Sequence, residues 1–307
     1  MAPSRVAAAL AATAFVLLAP AVCSAARRQV APLPEGWTQI GSGPDGGSVW
    51  QGLIRDARVP ALRRPTVVYL PPGASAGLRY PVLYLLQGFR GSPYQYASGL
   101  DLAGIADRSI AAGRVRPFVA VAPPAGLTAR YDGEWAGPWE RYLLRDVVPW
   151  VDRHLPTCGA RTARALAGLS AGGYGAVDVG LRHPFLFGTL EAWSGYFRPY
   201  RDGPLRGAAR ATLAEHDPSL LAAREAPLLR RLGTRFFLSA GTTRDRETAA
   251  ATRLFAAELR TLRLSYATYL APGGHDGRFW RAQLPAALRF AEPPQKAKID
   301  RPLSSTA

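Results

Sequence analysis

The residues best suited to chemistry lie around Ser170, within the sequence GLSAGG at 168–173. A serine with glycines two positions before and two after it is typical of a nucleophile elbow, a tight strand-to-helix turn that exposes the hydroxyl. The apolar run 165–169 and the small residues of 173–182 fit that strand and helix. The pattern also occurs in unrelated glycine-rich turns. It predicts nucleophilic chemistry at Ser170 if a base and an acid accompany it.

A serine hydroxyl becomes nucleophilic when a histidine accepts its proton and a carboxylate orients that histidine. After an elbow on a parallel α/β sheet, the chain order is serine, acid, histidine. The four histidines are His154, His183, His216 and His275. We interpret His154 and His183 as helix-end residues, and His216 follows no strand. His275 follows the last predicted strand in a glycine-rich loop, and we predict it as the base.

The acid should follow the preceding predicted strand, RFFLSA at 235–240. Asp245 and Glu247 both qualify, and we take Asp245 as first choice and Glu247 as second. The arginines on either side of Asp245 could lower the pKa of a carboxylate there. They are also what a solvated charged run would show, so the alternative that neither residue is the acid stays open.

An oxyanion hole needs two backbone N–H groups aimed at the developing negative oxygen. One is expected from the residue after the nucleophile, and the other from an early loop that follows a strand. We predict the amides of Ala171 and Phe89 for these roles. Phe89 lies in the turn QGFRG at 87–91, directly after a continuous apolar run.

The elements that must position these residues alternate along the chain. Predicted strands cover 48–57, 66–70, 80–86, 117–122, 165–169, 189–193, 235–240 and 265–270, and predicted helices cover 100–113, 139–151, 173–182, 247–262 and 280–290. Such alternation favours an α/β fold with a mostly parallel central sheet and helices on both faces. Ser170 and the 87–91 turn would then meet at the carboxyl ends of the strands, where ligands bind. No metal-ligand spacing is found, and we expect neither a metal nor a cofactor.

The chain has 307 residues and a formal net charge of +16, almost all of it from arginine. Such a charge favours anionic surfaces. The arginines are scattered singly and form no basic stripe interleaved with aromatic residues, so we expect no nucleic-acid partner.

The chain begins like an exported protein. Arg5 precedes an apolar run at 6–22 and small residues at 23–26, the pattern of a secretory signal peptide. The run is also long enough to remain as a membrane anchor. We therefore expect a signal peptide or uncleaved anchor at 1–26, a catalytic domain at 27–292 and a disordered tail at 293–307, with a secreted or cell-envelope location. Once the leader is removed, Cys158 would have no intramolecular partner.

Seven segments carry a resemblance to a known family. They are VVYLPPG, YPVLYLLQGFRG, WERYLLRDVVPWVD, GLSAGGYGA, HPFLFG, AWSGYF and PGGHDGRFWRAQL, spread over about 47–290. In order and spacing they resemble the esterase family that holds esterase D, enterochelin esterases, feruloyl esterases and the antigen 85 mycolyltransferases. The resemblance implies an α/β-hydrolase fold, with Ser170, an acid near Asp245 and His275 as the catalytic triad.

Some segments are most similar to the mycolyltransferase branch. These are the QGFRG turn, YD at 131–132, WE at 139–140 and WRAQL at 280–284. This likeness implies that Arg90 and Trp280 lie near the acyl or sugar site. Two features depart from the family: many of its esterases have His-Gly where this chain has Gln87-Gly88, and mycolyltransferases carry a bulkier residue than Ala171.

These observations predict an exported serine esterase that forms an acyl-enzyme on Ser170. The first alternative is an acyltransferase of the mycolyltransferase type, which moves the acyl chain to a sugar hydroxyl. The second is a noncatalytic cell-wall or matrix-binding protein on a hydrolase scaffold. The expected substrate is a small-molecule ester or a lipid or sugar ester.

Overall fold

The computed structural model describes residues 33–55, 64–74, 77–125 and 135–294. The expected leader at 1–26, the YD pair at 131–132 and nearly all of the expected tail lie outside these ranges. Within them, no helix is both long and apolar enough to cross a membrane.

One sheet organises the described part of the chain. Its strands are β1 (Thr38–Ser42), β2 (Ser48–Gly52), β3 (Thr66–Leu70), β4 (Val82–Leu86), β5 (Val119–Ala122), β6 (Arg164–Leu169), β7 (Thr189–Trp193), β8 (Arg235–Gly241) and β9 (Ser265–Ala271). Their order across the sheet is β1-β2-β3-β5-β4-β6-β7-β8-β9. The pairs from β1 to β3 and the pair β3–β5 are antiparallel, and every pair from β5 to β9 is parallel. The predicted, mostly parallel sheet is confirmed.

Helices connect the strands. The α-helices are α1 (Leu102–Ala111), α2 (Pro138–Tyr142), α3 (Val148–His154), α4 (Ala171–Arg182), α5 (Arg210–Glu215), α6 (Pro218–Leu232), α7 (Arg246–Thr261) and α8 (Gly277–Ala291). A wider π-helical turn, Leu143–Val147, joins α2 to α3. The single helix predicted over 139–151 thus includes this π-helical turn. Pro149 lies in the first turn of α3, where a missing N–H costs little.

The sheet is buried on both faces because its central strands are apolar throughout. In β4, Val82, Tyr84 and Leu86 belong to one hydrophobic cluster, and Leu83 and Leu85 belong to another. The first cluster includes side chains of α2 to α4, α6 and α7. The second includes side chains of α1 and α8. Helices therefore cover both faces, as the continuous apolar runs predict.

The chain reverses its direction of strand addition around β4. It passes from β4 to β5 on one side and then returns to place β6 on the other. Ligands bind at the carboxyl ends of the strands beside such a switch point. The turn that begins at Gln87 follows β4, and Ser170 follows β6, so both lie at this position.

Cys158 is disulfide-bonded in the structure. The expectation that it has no intramolecular partner concerns a chain whose leader has been removed, and it stays a prediction.

Candidate active site

Ser170 occupies a strained turn between β6 and α4. Its backbone angles are φ 53° and ψ −117°, a combination that residues with a side chain rarely adopt. Its amide N–H donates to the Trp193 carbonyl oxygen at 2.9 Å, and its carbonyl oxygen accepts from the Tyr174 N–H at 3.0 Å. These bonds hold the turn, and the side chain of Ser170 is partly exposed.

The glycines around Ser170 allow three backbone segments to meet. A Cβ atom added at Gly168 would collide with the carbonyl of Gly172, and one added at Gly172 would collide with the carbonyl of Leu86. These neighbours are backbone atoms, so they cannot rotate away. The spacing of the motif thus has a packing cause, because β4, β6 and the start of α4 touch at the elbow.

His275 and Asp245 form a hydrogen-bonded pair. His275 lies in the loop between β9 and α8, and Asp245 lies in the loop between β8 and α7. His275 Nδ1 is 3.1 Å from Asp245 Oδ1. The Asp245 carboxylate is buried, with 5% of the side chain exposed, whereas His275 has 38% exposed. This contact fixes Nδ1 as the protonated nitrogen and leaves Nε2 to accept a proton.

Backbone bonds hold the two loops together. The N–H groups of Thr243 and Arg244 both donate to the Gly273 carbonyl oxygen, at 3.2 and 2.9 Å. A Cβ atom added at Gly241 would lie 2.6 Å from the Gly273 carbonyl carbon. The loop that carries Asp245 and the loop that carries His275 are therefore one packed unit.

Glu247, the second candidate for the acid, lies apart from the histidine pair. It is exposed, in the first turn of α7, and its Oε1 accepts from the Tyr200 hydroxyl at 3.2 Å. Asp245 immediately precedes α7. The start of the helix separates the two carboxylates, and only Asp245 contacts His275.

The surroundings of Asp245 favour its ionised form. Burial raises the pKa of this carboxyl, but hydrogen bonding by His275, Thr248 and Ser194 outweighs burial, and the net pKa is below the usual range. Asp245 is therefore a carboxylate at neutral pH, the form that holds an imidazole and stabilises its charge.

The expected oxyanion donors flank the elbow. Ala171 is the first residue of α4, so its amide has no partner within the helix and lies at the positive end of the helix dipole. Phe89 follows Gly88, where an added Cβ atom would lie 2.9 Å from the Leu169 carbonyl oxygen. The turn after β4 therefore packs directly against the residue before Ser170.

The same turn carries Arg90, which was expected near the acyl or sugar site. Arg90 has φ 56°, and the turn is closed by a bond from the Gly91 N–H to the Gly88 carbonyl oxygen at 2.9 Å. Its guanidinium lies 5.1 Å from the centre of the Phe89 ring, and the side chain is exposed. It is thus available at the rim of the elbow.

Trp280 contacts the acid–base pair rather than standing apart from it. Its ring meets the His275 ring edge to face, with centroids 5.1 Å apart. Its Nε1–H donates to Ser194 Oγ at 3.0 Å. Sequence reasoning missed Ser194, although the segment AWSGYF and the end of a predicted strand at 193 placed it at the same sheet edge.

The other histidines have partners of their own. His216 Nδ1 bonds Asp178 Oδ2 at 2.8 Å, and His183 Nε2 bonds Glu140 Oε1 at 2.7 Å. His154 Nδ1 is 2.9 Å from the carbonyl oxygen one turn earlier in its helix. Among the residues that the structure describes, no group of three His, Cys, Asp or Glu side chains could hold a metal ion.

A strained serine after a central parallel strand, and a carboxylate–histidine pair on the next loops of the same edge, define the α/β-hydrolase class of enzymes. Residues 61–291 match the family model described as "Putative esterase". The chain belongs to this esterase family and is an enzyme of the serine esterase or acyltransferase type.

Relatives and solved structures are similar over different spans. An esterase from Mycobacterium tuberculosis is 32% identical over 126 residues, which are 39% of this chain and 26% of that protein. The MPT51/MPB51 antigen of Mycobacterium bovis is 26% identical over 74% of this chain and 83% of its own length. A ferulic acid esterase structure superposes with a TM-score of 0.68 at 23% identity, covering 80% of this chain and 97% of that one. This last likeness confirms the α/β-hydrolase fold.

Proposed function

We propose that this chain is a serine esterase that hydrolyses carboxylic esters through an acyl-enzyme on Ser170. The hydrogen bond between His275 Nδ1 and Asp245 Oδ1, at 3.1 Å, carries the proposal. It supplies an oriented base at the sheet edge that bears the strained serine. The similarity to the mycobacterial esterase supports the reaction class, although the chain spans only 26% of that protein.

The reaction follows from these positions. His275 Nε2 takes the proton of the Ser170 hydroxyl while Oγ attacks the ester carbonyl carbon. The amides of Ala171 and Phe89 stabilise the resulting oxyanion, and each such donor is worth a factor of about 10² to 10³ in rate. Collapse of the intermediate breaks the ester C–O bond, and the alcohol leaves with the proton from His275. Water then attacks the acyl-enzyme and gives its proton to His275. Collapse of this second intermediate breaks the bond between Ser170 Oγ and the acyl carbon, His275 returns the proton to Oγ, and the acid is released.

A cavity beside the acid loop offers room for one part of the ester. It has a volume of about 280 Å³ and is lined by Tyr196, Tyr200, Glu247, Leu254 and Phe255, among others. The Tyr196 ring stacks on Tyr174 of the nucleophile helix, with centroids 4.9 Å apart. The aromatic lining suits an apolar or ring-shaped group, as expected for ligand pockets.

The first test is hydrolysis of a series of p-nitrophenyl esters. Ser170→Ala and His275→Ala should each lower kcat by several orders of magnitude. Ser98→Ala, which removes an exposed hydroxyl elsewhere, should leave kcat unchanged. A fluorophosphonate should label wild-type protein at Ser170 and fail to label Ser170→Ala. Full activity in Ser170→Ala would refute the proposal.

Transfer to a sugar hydroxyl is the second candidate. The resemblance of the QGFRG turn at 87–91 and of WRAQL at 280–284 to the mycolyltransferase branch favours it. Both reactions share the acyl-enzyme and differ in what attacks it. Adding trehalose to the ester assay separates them: transfer yields an acylated sugar, and hydrolysis yields only free acid.

Export is part of the proposal and rests on the amino-terminal sequence. Expression in a bacterium with a secretory pathway should give a protein outside the cytoplasm. Cleavage would start the mature chain at or just before Arg27, and an uncleaved anchor would keep the full mass in the membrane fraction. Mass spectrometry of the fractions distinguishes these outcomes, and full-length protein in the cytoplasm alone would contradict export.

A further inference from the structure

Ser194 connects the acid of the site to Trp280. It follows β7 directly and has φ 50°, an unusual value for a residue with a side chain. Ser194 is fully buried. Its amide N–H donates to the Ser239 carbonyl oxygen at 2.7 Å. The strained backbone is thus pinned to β8, and strain of this kind persists where the surrounding structure fixes it.

The hydroxyl oxygen of Ser194 accepts one hydrogen bond. It receives the indole N–H of Trp280 at 3.0 Å. A hydroxyl that accepts one bond still has its own proton to donate. A buried hydroxyl needs an acceptor for that proton.

Asp245 interacts with Ser194, and this interaction favours the charged form of the carboxyl. Its Oδ1 lies 3.1 Å from His275 Nδ1. Within the described residues its buried Oδ2 has no hydrogen-bond partner in standard geometry, Ser194 included, so this oxygen is open to the Ser194 proton.

Trp280 contacts the proposed base as well as Ser194. Its ring lies edge to face with the His275 ring, at 5.1 Å and an interplanar angle of 79°. The helix that carries Trp280 is anchored beside His275, because Asp276 caps it by accepting the Phe279 N–H at 3.0 Å. The indole is therefore held on a rigid element with one contact to His275 and one to Ser194.

We propose that Trp280 and Ser194 are positioning residues for the Asp245–His275 pair. The indole N–H fixes the Ser194 hydroxyl as an acceptor and leaves its proton for the Asp245 carboxylate, while the indole ring limits rotation of the imidazole. The inference rests on the proposed function. It also replaces the sequence-based expectation that Trp280 serves substrate binding.

The two roles for Trp280 predict different kinetics. If Trp280 acts through Ser194, Trp280→Phe and Ser194→Ala should each lower kcat by about 10- to 100-fold with little change in KM, as for loss of a hydrogen bond to a charged group. The kcat of the double variant should then be about the same as that of the more impaired single variant. If Trp280 binds substrate directly, Trp280→Phe should raise KM, and the two losses should multiply.

The chain supplies a matched control for these substitutions. In β2, Trp50 Nε1 donates to Ser48 Oγ at 2.9 Å, the same pair of groups in a strand far from the elbow in the sheet order. Trp50→Phe and Ser48→Ala should leave kcat unchanged. A comparable loss in these controls would show that the effect is a general one on folding and would overturn the inference.

A spectroscopic measurement tests the positioning without turnover. The Nδ1 proton of His275, bonded to Asp245, should give a downfield proton resonance in wild type that Asp245→Asn abolishes. Ser194→Ala and Trp280→Phe should weaken or shift this resonance. If both variants keep it unchanged and keep full kcat, the inference fails while the proposed function stands. If Ser170→Ala retains activity, the proposed function itself fails.

Discussion

The amide N–H of Ser170 donates to the carbonyl oxygen of Trp193 at 2.9 Å, so the backbone of the proposed nucleophile is tied to the last residue of β7, directly before Ser194. The neighbouring strand β7, as well as the turn itself, therefore stabilises the unfavourable φ of Ser170. This tie requires β6, β7 and α4 to pack closely. Substitutions that push these segments apart should therefore displace Ser170 without altering its hydroxyl.

Gly168→Ala tests this dependence. The added Cβ atom would meet the Gly172 carbonyl and lie 2.8 Å from the Leu86 carbonyl oxygen, so we expect a loss of about 1–3 kcal/mol in the free energy of unfolding, together with a large loss of kcat. Gly77→Ala is the control, because nothing lies within 4 Å of its added Cβ atom. Urea unfolding and ester hydrolysis measure the two effects. Unchanged stability and activity in Gly168→Ala would contradict this account of the elbow.

The choice between the two carboxylates leads to a second prediction. Asp245→Asn should lower kcat by about 10⁴, because an amide no longer holds the imidazole in the required tautomer. Glu247→Gln should keep kcat within about twofold, because Glu247 lines the cavity but does not contact His275, which bonds Asp245 instead. The p-nitrophenyl ester assay measures both. The reverse pattern would show that Glu247 is the acid and would leave Ser170 and His275 in place.

The surroundings of Glu140 lead us to predict that the stability of the fold depends on pH. Burial raises the pKa of Glu140, but the opposing effect of His183 and Arg182 is larger. The net pKa is therefore below the usual value of 4.5. Its ionised form therefore stabilises the fold above pH 4.5, and this contribution is lost as the pH falls through the lower pKa of the folded state. Glu140→Gln should lose about 1–3 kcal/mol at pH 7. Urea unfolding should show the two proteins converging at acid pH, and a constant difference would contradict the prediction.

For Glu191 we predict the opposite dependence, in which the stability of the fold decreases as the pH rises. It is fully buried in β7, and burial raises its pKa from 4.5 to about 8 despite the hydrogen bond from Trp193. Stability is then complete below pH 4.5 and falls as the pH rises towards 8, because the unfolded chain ionises first. Glu191→Gln should remove this slope and gain at least about 1 kcal/mol over wild type at pH 9.

Thermal unfolding across pH 5–9 measures the effect at Glu191. Glu247→Gln serves as a control at an exposed carboxylate and should leave the pH slope unchanged. If wild type and Glu191→Gln show parallel profiles, Glu191 does not titrate in this range.

The sequence predicts the elbow and the buried strands well because both depend on local patterns. Neighbouring residues alone are enough to identify a serine between close glycines. The same holds for a continuous apolar run such as β4. The predicted strand at 48–57 was longer than β2, which ends at Gly52. Strand ends depend on pairing partners, which local patterns do not specify.

The choice of acid and the role of Trp280 depend on distant contacts. Asp245 and Glu247 are two residues apart, and only the start of α7 at Arg246 turns one inward and the other outward. The Trp280–Ser194 hydrogen bond joins residues 86 positions apart. Similarly, the sequence shows only that His216 follows no strand, whereas its hydrogen bond to the buried Asp178 makes it part of the packing behind α4.

The loops of Asp245 and His275 join at the Arg244–Gly274 bridge, at the end of the sheet that the chain completes last. A ribosome adding about 5–20 residues per second therefore finishes the nucleophile strand several seconds before the loop of the base. A chain still being made carries Ser170 without the proposed base. The order of the strands thus delays the proposed esterase chemistry until the whole domain has been made and folded.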